Sequence, residues 1–227
     1  TYTKAVTVDV LDMPEAPFIR GNSVYSEISG LTWEAAESNA AALGGHLASI
    51  NNDAENTFLY GLFSKGTDHG LWLGGTDKQQ EGTWKWSDGS QWEFSKWHSA
   101  QPDNYTAYDA EGENYLQYVG SWSDASWNDI SGKVNNLSNN PAYTYLLTNT
   151  GIAEIPLNLS ISQSAQPKED AGVFTTSINL SAGTQTSGNL AEGSQVWWKV
   201  TGITQDDLAS GALTGSGTIT NGKLDIQ

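Results

Sequence analysis

Between Gln101 and Asp129 the sequence gathers side chains that end in oxygen: Gln101, Asp103, Glu113, Asn128 and Asp129, three carboxylates and two amides. A hard cation such as calcium takes about six to eight oxygens, so five side-chain donors and one backbone carbonyl leave about two positions open. Two neighbouring sugar hydroxyls can fill them. Each hydroxyl on the ion can also donate to a carboxylate and accept from an amide, which requires acids and amides to alternate around the metal. Gln101 near Asp103, and Asn128 beside Asp129, supply that pairing. Tyr105 or Tyr108 offers a ring for the apolar face of a sugar. Asp109 and Glu111, in the same stretch, are reserve ligands or solvated loop charge. Outside this context Gln101-Pro102-Asp103-Asn104 is an ordinary turn sequence, because Pro, Asp and Asn all favour turns.

Other chemistries are poorly served. The 227 residues contain no Cys, which removes thiolate nucleophiles, Cys-ligated zinc and disulfides. His46, His69 and His98 are the only histidines, and no two stand at zinc-site spacing. Neither a Gly-x-Ser-x-Gly elbow nor a phosphate-binding or dinucleotide fingerprint occurs, so no enzyme is expected. With 26 acidic and 10 basic residues the net charge is −16, which repels nucleic acid. No run reaches the ~20 apolar residues that span a bilayer, so no membrane insertion is expected. Asn-x-Ser/Thr sequons begin at Asn104, Asn136, Asn158 and Asn179, as chance allows in a chain rich in these residues.

The elements that must position the oxygen donors are legible in three textures. Residues 1–20 read as a β-strand with alternating Val6, Val8 and Val10, followed by a linker from Met13 to Pro17. Residues 21–148 begin with two helices. The first spans about Thr32 to Leu43, with Thr32 as N-cap, Ala36, Ala40 and Leu43 on one face, and Gly44 as terminator. The second starts near Asn52, where Asn52 and Glu55 form a capping-box-like pair, and buries Phe58, Leu59, Leu62 and Phe63. Short strands follow at Leu71–Gly75 and Thr83–Gly89, with Trp72, Trp84, Trp86 and Trp127 as core and Asp77, Asp88 and Gly89 as turn residues. Residues 149–227 alternate around Ile155–Ile161, Phe174–Leu180, Val196–Val200 and Leu224–Ile226, the pattern of a β-sandwich module. The terminal strand can belong to that module, with the middle domain inserted, or the modules can stand in tandem. The start at Thr1 and the stop within an alternating segment read as a piece of a larger multidomain chain.

Trp33-Glu34-Ala35, Leu43-Gly44-Gly45-His46-Leu47-Ala48-Ser49-Ile50, Trp72-Leu73-Gly74-Gly75, Trp86-Ser87-Asp88-Gly89-Ser90, Gln101-Pro102-Asp103-Asn104 and Trp127-Asn128-Asp129 follow one another in the order of a known family. On these residues the segment 21–148 resembles the C-type lectin-like domain, which makes the fold class α+β, a C-type lectin-like fold with a flanking all-β sandwich module. The family's bridging cysteines fall at Ala40, Tyr115, Gly132 and about Leu147, and all four are replaced, so aromatic packing and bound calcium must compensate. The resemblance implies a cis bond before Pro102, and calcium held by Gln101, Asp103, Glu113, Asn128 and Asp129. A second Trp-x-Asp, Trp122-Ser123-Asp124, competes with Trp127-Asn128-Asp129 for the last ligand pair. Gln-Pro-Asp implies galactose-type hydroxyl geometry where Glu-Pro-Asn implies mannose type, and fucose remains open. The sugar-binding set is then Gln101, Asp103, Tyr105, Tyr108, Glu113, Asn128 and Asp129. The acidic, Cys-free chain with its β tail resembles the ligand-binding region of large bacterial repeats-in-toxin (RTX) adhesins. That implies an extracellular place, secreted or on a bacterial surface, and attachment to galactose- or fucose-containing cell-surface glycans, as in a biofilm. Protein- or ice-binding modules, or a calcium-stiffened spacer, are the alternatives on the same fold.

Overall fold

The computed structural model describes residues 6–7, 19–107, 109–132, 148–163, 176–182, 195–200, 214–221 and 223–226. The chain divides into two compact units, Thr1–Val24 with Pro156–Gln227, and Tyr25–Ile155. In chain order the strands and helices are β1 (Val6–Thr7), β2 (Ile19–Arg20), β3 (Ser23–Ser29), α1 (Trp33–Ala42), β4 (His46–Leu47) and α2 (Asp53–Leu59). They continue with β5 (Gly70–Thr76), β6 (Lys85–Trp86), β7 (Tyr115–Val119), β8 (Trp127–Ile130) and β9 (Thr148–Gln163). Last come β10 (Thr176–Ala182), β11 (Gln195–Val200), β12 (Thr214–Thr218) and β13 (Lys223–Ile226). None of the described helices is long and apolar enough to cross a membrane.

In the unit Tyr25–Ile155, α1 begins as the sequence dictates. Thr32 is extended and its hydroxyl accepts from the Ala35 N–H, while Trp33, Ala36 and Ala40 are buried. Leu43 is a half-buried C-cap rather than a core residue. At α2, Asn52 Oδ1 accepts from the Glu55 N–H at 2.9 Å, but the Glu55 carboxylate turns back to the Asn51 N–H at 2.8 Å, one residue earlier than a capping box requires. Of the face expected for this helix only Leu59 is fully buried; Phe58, Leu62 and Phe63 are half-buried. A π-helical turn, Tyr60–Ser64, follows α2 and places Tyr60 and Ser64 inward. Its wider winding shifts the stripe away from the 3.6-residue spacing assumed from sequence.

The helices accompany a mixed sheet. β5 pairs in parallel with β9 and antiparallel with β7, β7 with β8, β6 with β5, and β4 with β9. Trp72 and Trp127 are fully buried and Trp84 and Trp86 nearly so, which places all four in the core as expected. Its polar centre is Asn56. The Asn56 amide donates to the Ala125 carbonyl at 2.8 Å, and its oxygen accepts from Tyr118 Oη at 2.8 Å and Trp127 Nε1 at 2.7 Å. Of the positions where the family's cysteines fall, Ala40 is fully buried, and Tyr115 lies directly on Gly132, where an added Cβ would stand 2.5 Å from the ring. Tyr115 also stacks on Trp33 with centroids 4.9 Å apart and donates to Glu34 Oε1. One aromatic thus contacts both the helix and the segment after β8. Leu147 lies outside the described residues.

In the unit formed by the terminal segments, the later part of β9 pairs with β10 and β10 with β13. β1 pairs with β11, and β11 with β12. All of these pairings are antiparallel. β12, Thr-Gly-Ser-Gly-Thr, was not expected as a strand because it carries no apolar alternation. Val8, Val10, the linker Met13–Pro17 and Phe174 lie outside the described residues.

Candidate metal and ligand site

The segment that carries the first donors runs beside β8. Trp127 N–H donates to the Lys96 carbonyl at 2.8 Å, and His98 N–H to the Trp127 carbonyl at 2.9 Å. Gln101 N–H then closes a turn onto the His98 carbonyl at 2.9 Å, and the Gln101–Pro102 peptide is cis, as the resemblance implied. His98 is a neighbour of this loop, its ring stacked on Trp122 at 4.0 Å. After the cis bond the backbone meets β8 again: Asp103 N–H donates to Asp129 Oδ1 at 3.2 Å, and Asn104 N–H to Asp129 Oδ2 at 2.8 Å. Glu113, just ahead of β7, is held by its N–H to Asn104 Oδ1 at 2.9 Å, while its Oε2 accepts from the Tyr105 N–H at 3.2 Å.

The outcome is a group of three carboxylates, Asp103, Glu113 and Asp129, each with an oxygen within 4.8 Å of the others. Glu113 and Asp129 are buried, at 8% and 1% exposure, and Asp103 faces outward. Burial pushes the Glu113 carboxyl up to about 8, with the charges of Asp129 and Asp103 adding to the effect. Burial also lifts Asp129, to about 6, against the lowering pull of the N–H groups of Asn104 and Asp103. Among the described residues no Lys, Arg or His forms an ion pair with any of the three.

Whether these residues suit a calcium ion is decided by their donor chemistry. Three clustered carboxylates without a cation are electrostatically unsatisfied, and a divalent ion removes that cost. Gln101 Oε1 is buried and has no hydrogen-bond partner among the described residues, an acceptor of the kind a hard cation uses. Asn128 is buried and its amide nitrogen donates to the Asp129 carbonyl at 2.5 Å, which anchors it beside the same carboxylate. The residues fit the ion.

Of the expected site residues, the structure brings Asp103, Glu113 and Asp129 together, and Gln101 and Asn128 stand close before Asp103 and Asp129 in the chain. Tyr105 is attached to Glu113 through its backbone, and the residue is 48% exposed. Tyr108 lies outside the described residues. The competing Asp124 is absent from the cluster; it accepts from the N–H and hydroxyl of Ser126 in a local turn. Asp109 is engaged by Ser131 Oγ at 2.6 Å, and neither it nor Glu111 belongs to the carboxylate group. Asp77 keeps its turn role through the Gly82 N–H, yet it is buried and its Oδ1 lacks a hydrogen-bond partner among the described residues, which a turn assignment does not foresee. Asn104, legible in the sequence only as part of a turn, is tied in the structure to both Asp129 and Glu113. The signal was an Asn directly after the Pro-Asp turn, the residue type that most readily enters the left-handed region there.

Two helices thus accompany a mixed sheet, and the loop acids Asp103 and Glu113 gather against Asp129 on β8. The chain belongs to the C-type lectin family: the model of the Lectin C-type domain matches residues 29–138. It is 36% identical over 126 residues to an alpha-N-acetylgalactosamine-specific lectin of Patiria pectinifera, covering 52% of this chain and 72% of that protein. It is 42% identical over 111 residues to a type-2 ice-structuring protein of Hemitripterus americanus, covering 47% of this chain and 66% of that one. To the galactose-specific lectin nattectin of Thalassophryne nattereri it is 35% identical over 106 residues, covering 46% and 63%. The chain thus spans under two thirds of the length of the latter two. The family is one of binding proteins, in keeping with the expectation of no catalysis.

Proposed function

We propose that this chain is a calcium-dependent carbohydrate-binding domain whose metal ligands are Gln101, Asp103, Glu113, Asn128 and Asp129. The observation that carries the reading is the buried oxygen of Gln101, without a hydrogen-bond partner among the described residues, two residues before Asp103 in a group of three crowded carboxylates. Bound calcium supplies open coordination positions for two neighbouring sugar hydroxyls. Around it the carboxylates of Asp103 and Glu113 accept from those hydroxyls, the amides of Gln101 and Asn128 donate to them, and the exposed Tyr105 offers its ring to the sugar's apolar face. Gln-Pro-Asp favours galactose- or fucose-type ligands, and two relatives named for galactose and N-acetylgalactosamine support that choice. The setting that suits a −16 chain joined to antiparallel β modules is a bacterial RTX adhesin, outside the cell, attaching to host or neighbouring cells. In it the terminal segments form one split β-sandwich module.

A glycan array probed in millimolar calcium and again in excess chelator tests the proposal. Calcium-dependent signal on related galactosyl or fucosyl glycans supports it, and a blank array from folded, calcium-loaded protein rejects it. Exchanging Gln101 and Asp103 for Glu and Asn shifts preference toward mannose if the motif selects the sugar. The 42% identity to an ice-structuring protein favours ice binding as the second reading. Thermal hysteresis that persists in Asp129→Ala, without glycan binding, identifies that case.

A further inference from the structure

We propose that Asn104 is a positioning residue, which fastens the loop carrying Glu113 to the strand carrying Asp129 and so sets the spacing of the three carboxylates. The inference rests on the calcium reading of that cluster. Asn104 bonds to two of its members by different groups: its backbone N–H donates to Asp129 Oδ2 at 2.8 Å, and its side-chain Oδ1 accepts from the Glu113 N–H at 2.9 Å. The next residue completes a ring, because Tyr105 N–H returns to Glu113 Oε2 at 3.2 Å. Two acids remote from each other in sequence are therefore referred to one residue that contributes no charge.

The local conformation serves this link. Asn104 has φ +45°, in the left-handed region that Asn enters more readily than other residues with a side chain. Gly112 makes the matching concession on the other side of the loop. Its φ is +79°, and a Cβ there would stand 1.9 Å from Asn104 Oδ1, so only glycine leaves room for the Asn104 carboxamide to reach the Glu113 N–H. Between them the loop is fixed a second time, where Asp109 accepts from Ser131 Oγ at 2.6 Å and its carbonyl accepts from the Gly112 N–H at 2.9 Å. A loop ordered in advance does not have to be ordered when the ion binds, which raises affinity without adding a ligand. The sequon Asn104-Tyr105-Thr106 has a second consequence. A carboxamide committed to Glu113 and packed against Gly112 is poorly placed to carry a glycan.

The test uses the 227-residue chain as wild type and as Asn104→Ala, Asn104→Asp and Gly112→Ala, with calorimetric calcium titration and amide hydrogen exchange in chelator. Asn104→Ala and Gly112→Ala are expected to weaken calcium binding about tenfold or more, and Asn104→Asp, which keeps the acceptor, to return it to within about threefold of wild type. In chelator the Glu113 amide is protected in wild type and exchanges about tenfold faster in Asn104→Ala. Unchanged affinity in Asn104→Ala, or failure of Asn104→Asp to restore it, overturns the proposal. So does a gain of more than about tenfold in Asn104→Asp, which would make position 104 a ligand. If Asn104→Ala does not fold, Gly112→Ala and the wild-type protection of the Glu113 amide decide. The two readings separate cleanly. Wild type that binds no calcium but protects the Glu113 amide, and loses that protection in Asn104→Ala, keeps the tie and sinks the calcium reading. An unprotected Glu113 amide in wild type sinks the tie whatever calcium does.

Discussion

Strand β8 carries two buried polar environments that solve opposite problems. Trp127 turns its indole N–H to Asn56, whose side chain is satisfied by Ala125, Tyr118 and Trp127 with distances of 2.7 to 2.8 Å. Two residues on, Asp129 meets Asp103 and Glu113, and the protein supplies N–H donors but no cation among the described residues. Burying a polar group is costly unless it is paired, and burying charge more so. The Asn56 centre meets that cost within the fold and therefore specifies structure. The carboxylate cluster leaves it unmet among the described residues, and that difference is what the proposed ion would remove.

The comparison breaks most readily at Asn56. Replacing it with Leu strands an indole N–H and a carbonyl in the core, at about 1–3 kcal/mol each and about 4 kcal/mol together, while Tyr118 Oη keeps the Asn56 backbone carbonyl at 3.1 Å. Urea denaturation should show that loss equally in calcium and in chelator. A loss seen only in calcium would tie Asn56 to the site and remove the distinction. The next effect is at Asp129. Asp129→Ala removes a proposed charged ligand and should weaken calcium binding about 100-fold or more by calorimetry, while in chelator the milder Asp129→Asn relieves repulsion but gives up one of the two backbone N–H bonds the carboxylate accepts, so stability changes little. A protein that loses stability in chelator on this change would mean the carboxylate is structural.

Protonation gives a smaller and continuous version of the same contrast. With Glu113 raised to about 8 and Asp129 to about 6, the folded, calcium-free protein holds protons that the unfolded chain has already released. Its stability therefore declines as pH rises from the ordinary carboxylate range, near 4.5 for Glu, toward 8. The thermal midpoint in chelator is expected to be several degrees higher at about pH 5 than at about pH 8, and the increment due to calcium to grow over the same interval. Asp129→Asn should flatten the slope in chelator. A slope of the opposite sign would show that the carboxylates are neutralised within the fold.

Much of this is legible in the sequence. Thr32 and Asn52 announce their helices because a capping side chain acts within three residues, and the tryptophans announce the core by size alone. That the acids at 103, 113 and 129 come together is readable because the oxygen-donor pattern restricts residue type more than geometry does. What escaped depends on long-range contact. Nothing near Asn56 in sequence tells that Tyr118 and Trp127 will close on it, and the π turn after Leu59 that re-aims Tyr60 and Ser64 has no local signature. Asn104 was visible only as turn chemistry, since its partners Glu113 and Asp129 lie 9 and 25 residues away.

A third carboxylate sharpens the contrast with the smallest change. Glu34 sits where α1 meets β7. Burial pushes it up, but Lys78 Nζ at 2.8 Å and Tyr115 Oη outweigh that and hold it below the usual carboxylate range. Here the protein provides its own cation, so the acid needs no ligand. Tyr115→Phe deletes one donor to Glu34 and keeps the ring on Trp33 and Gly132; Lys78 continues to neutralise the charge. The expected cost is about 1 kcal/mol in urea denaturation, with calcium affinity unchanged. A calcium defect in Tyr115→Phe would mean that Tyr115, at the head of the strand that follows Glu113, transmits its packing to the site, and the two kinds of carboxylate would no longer be independent.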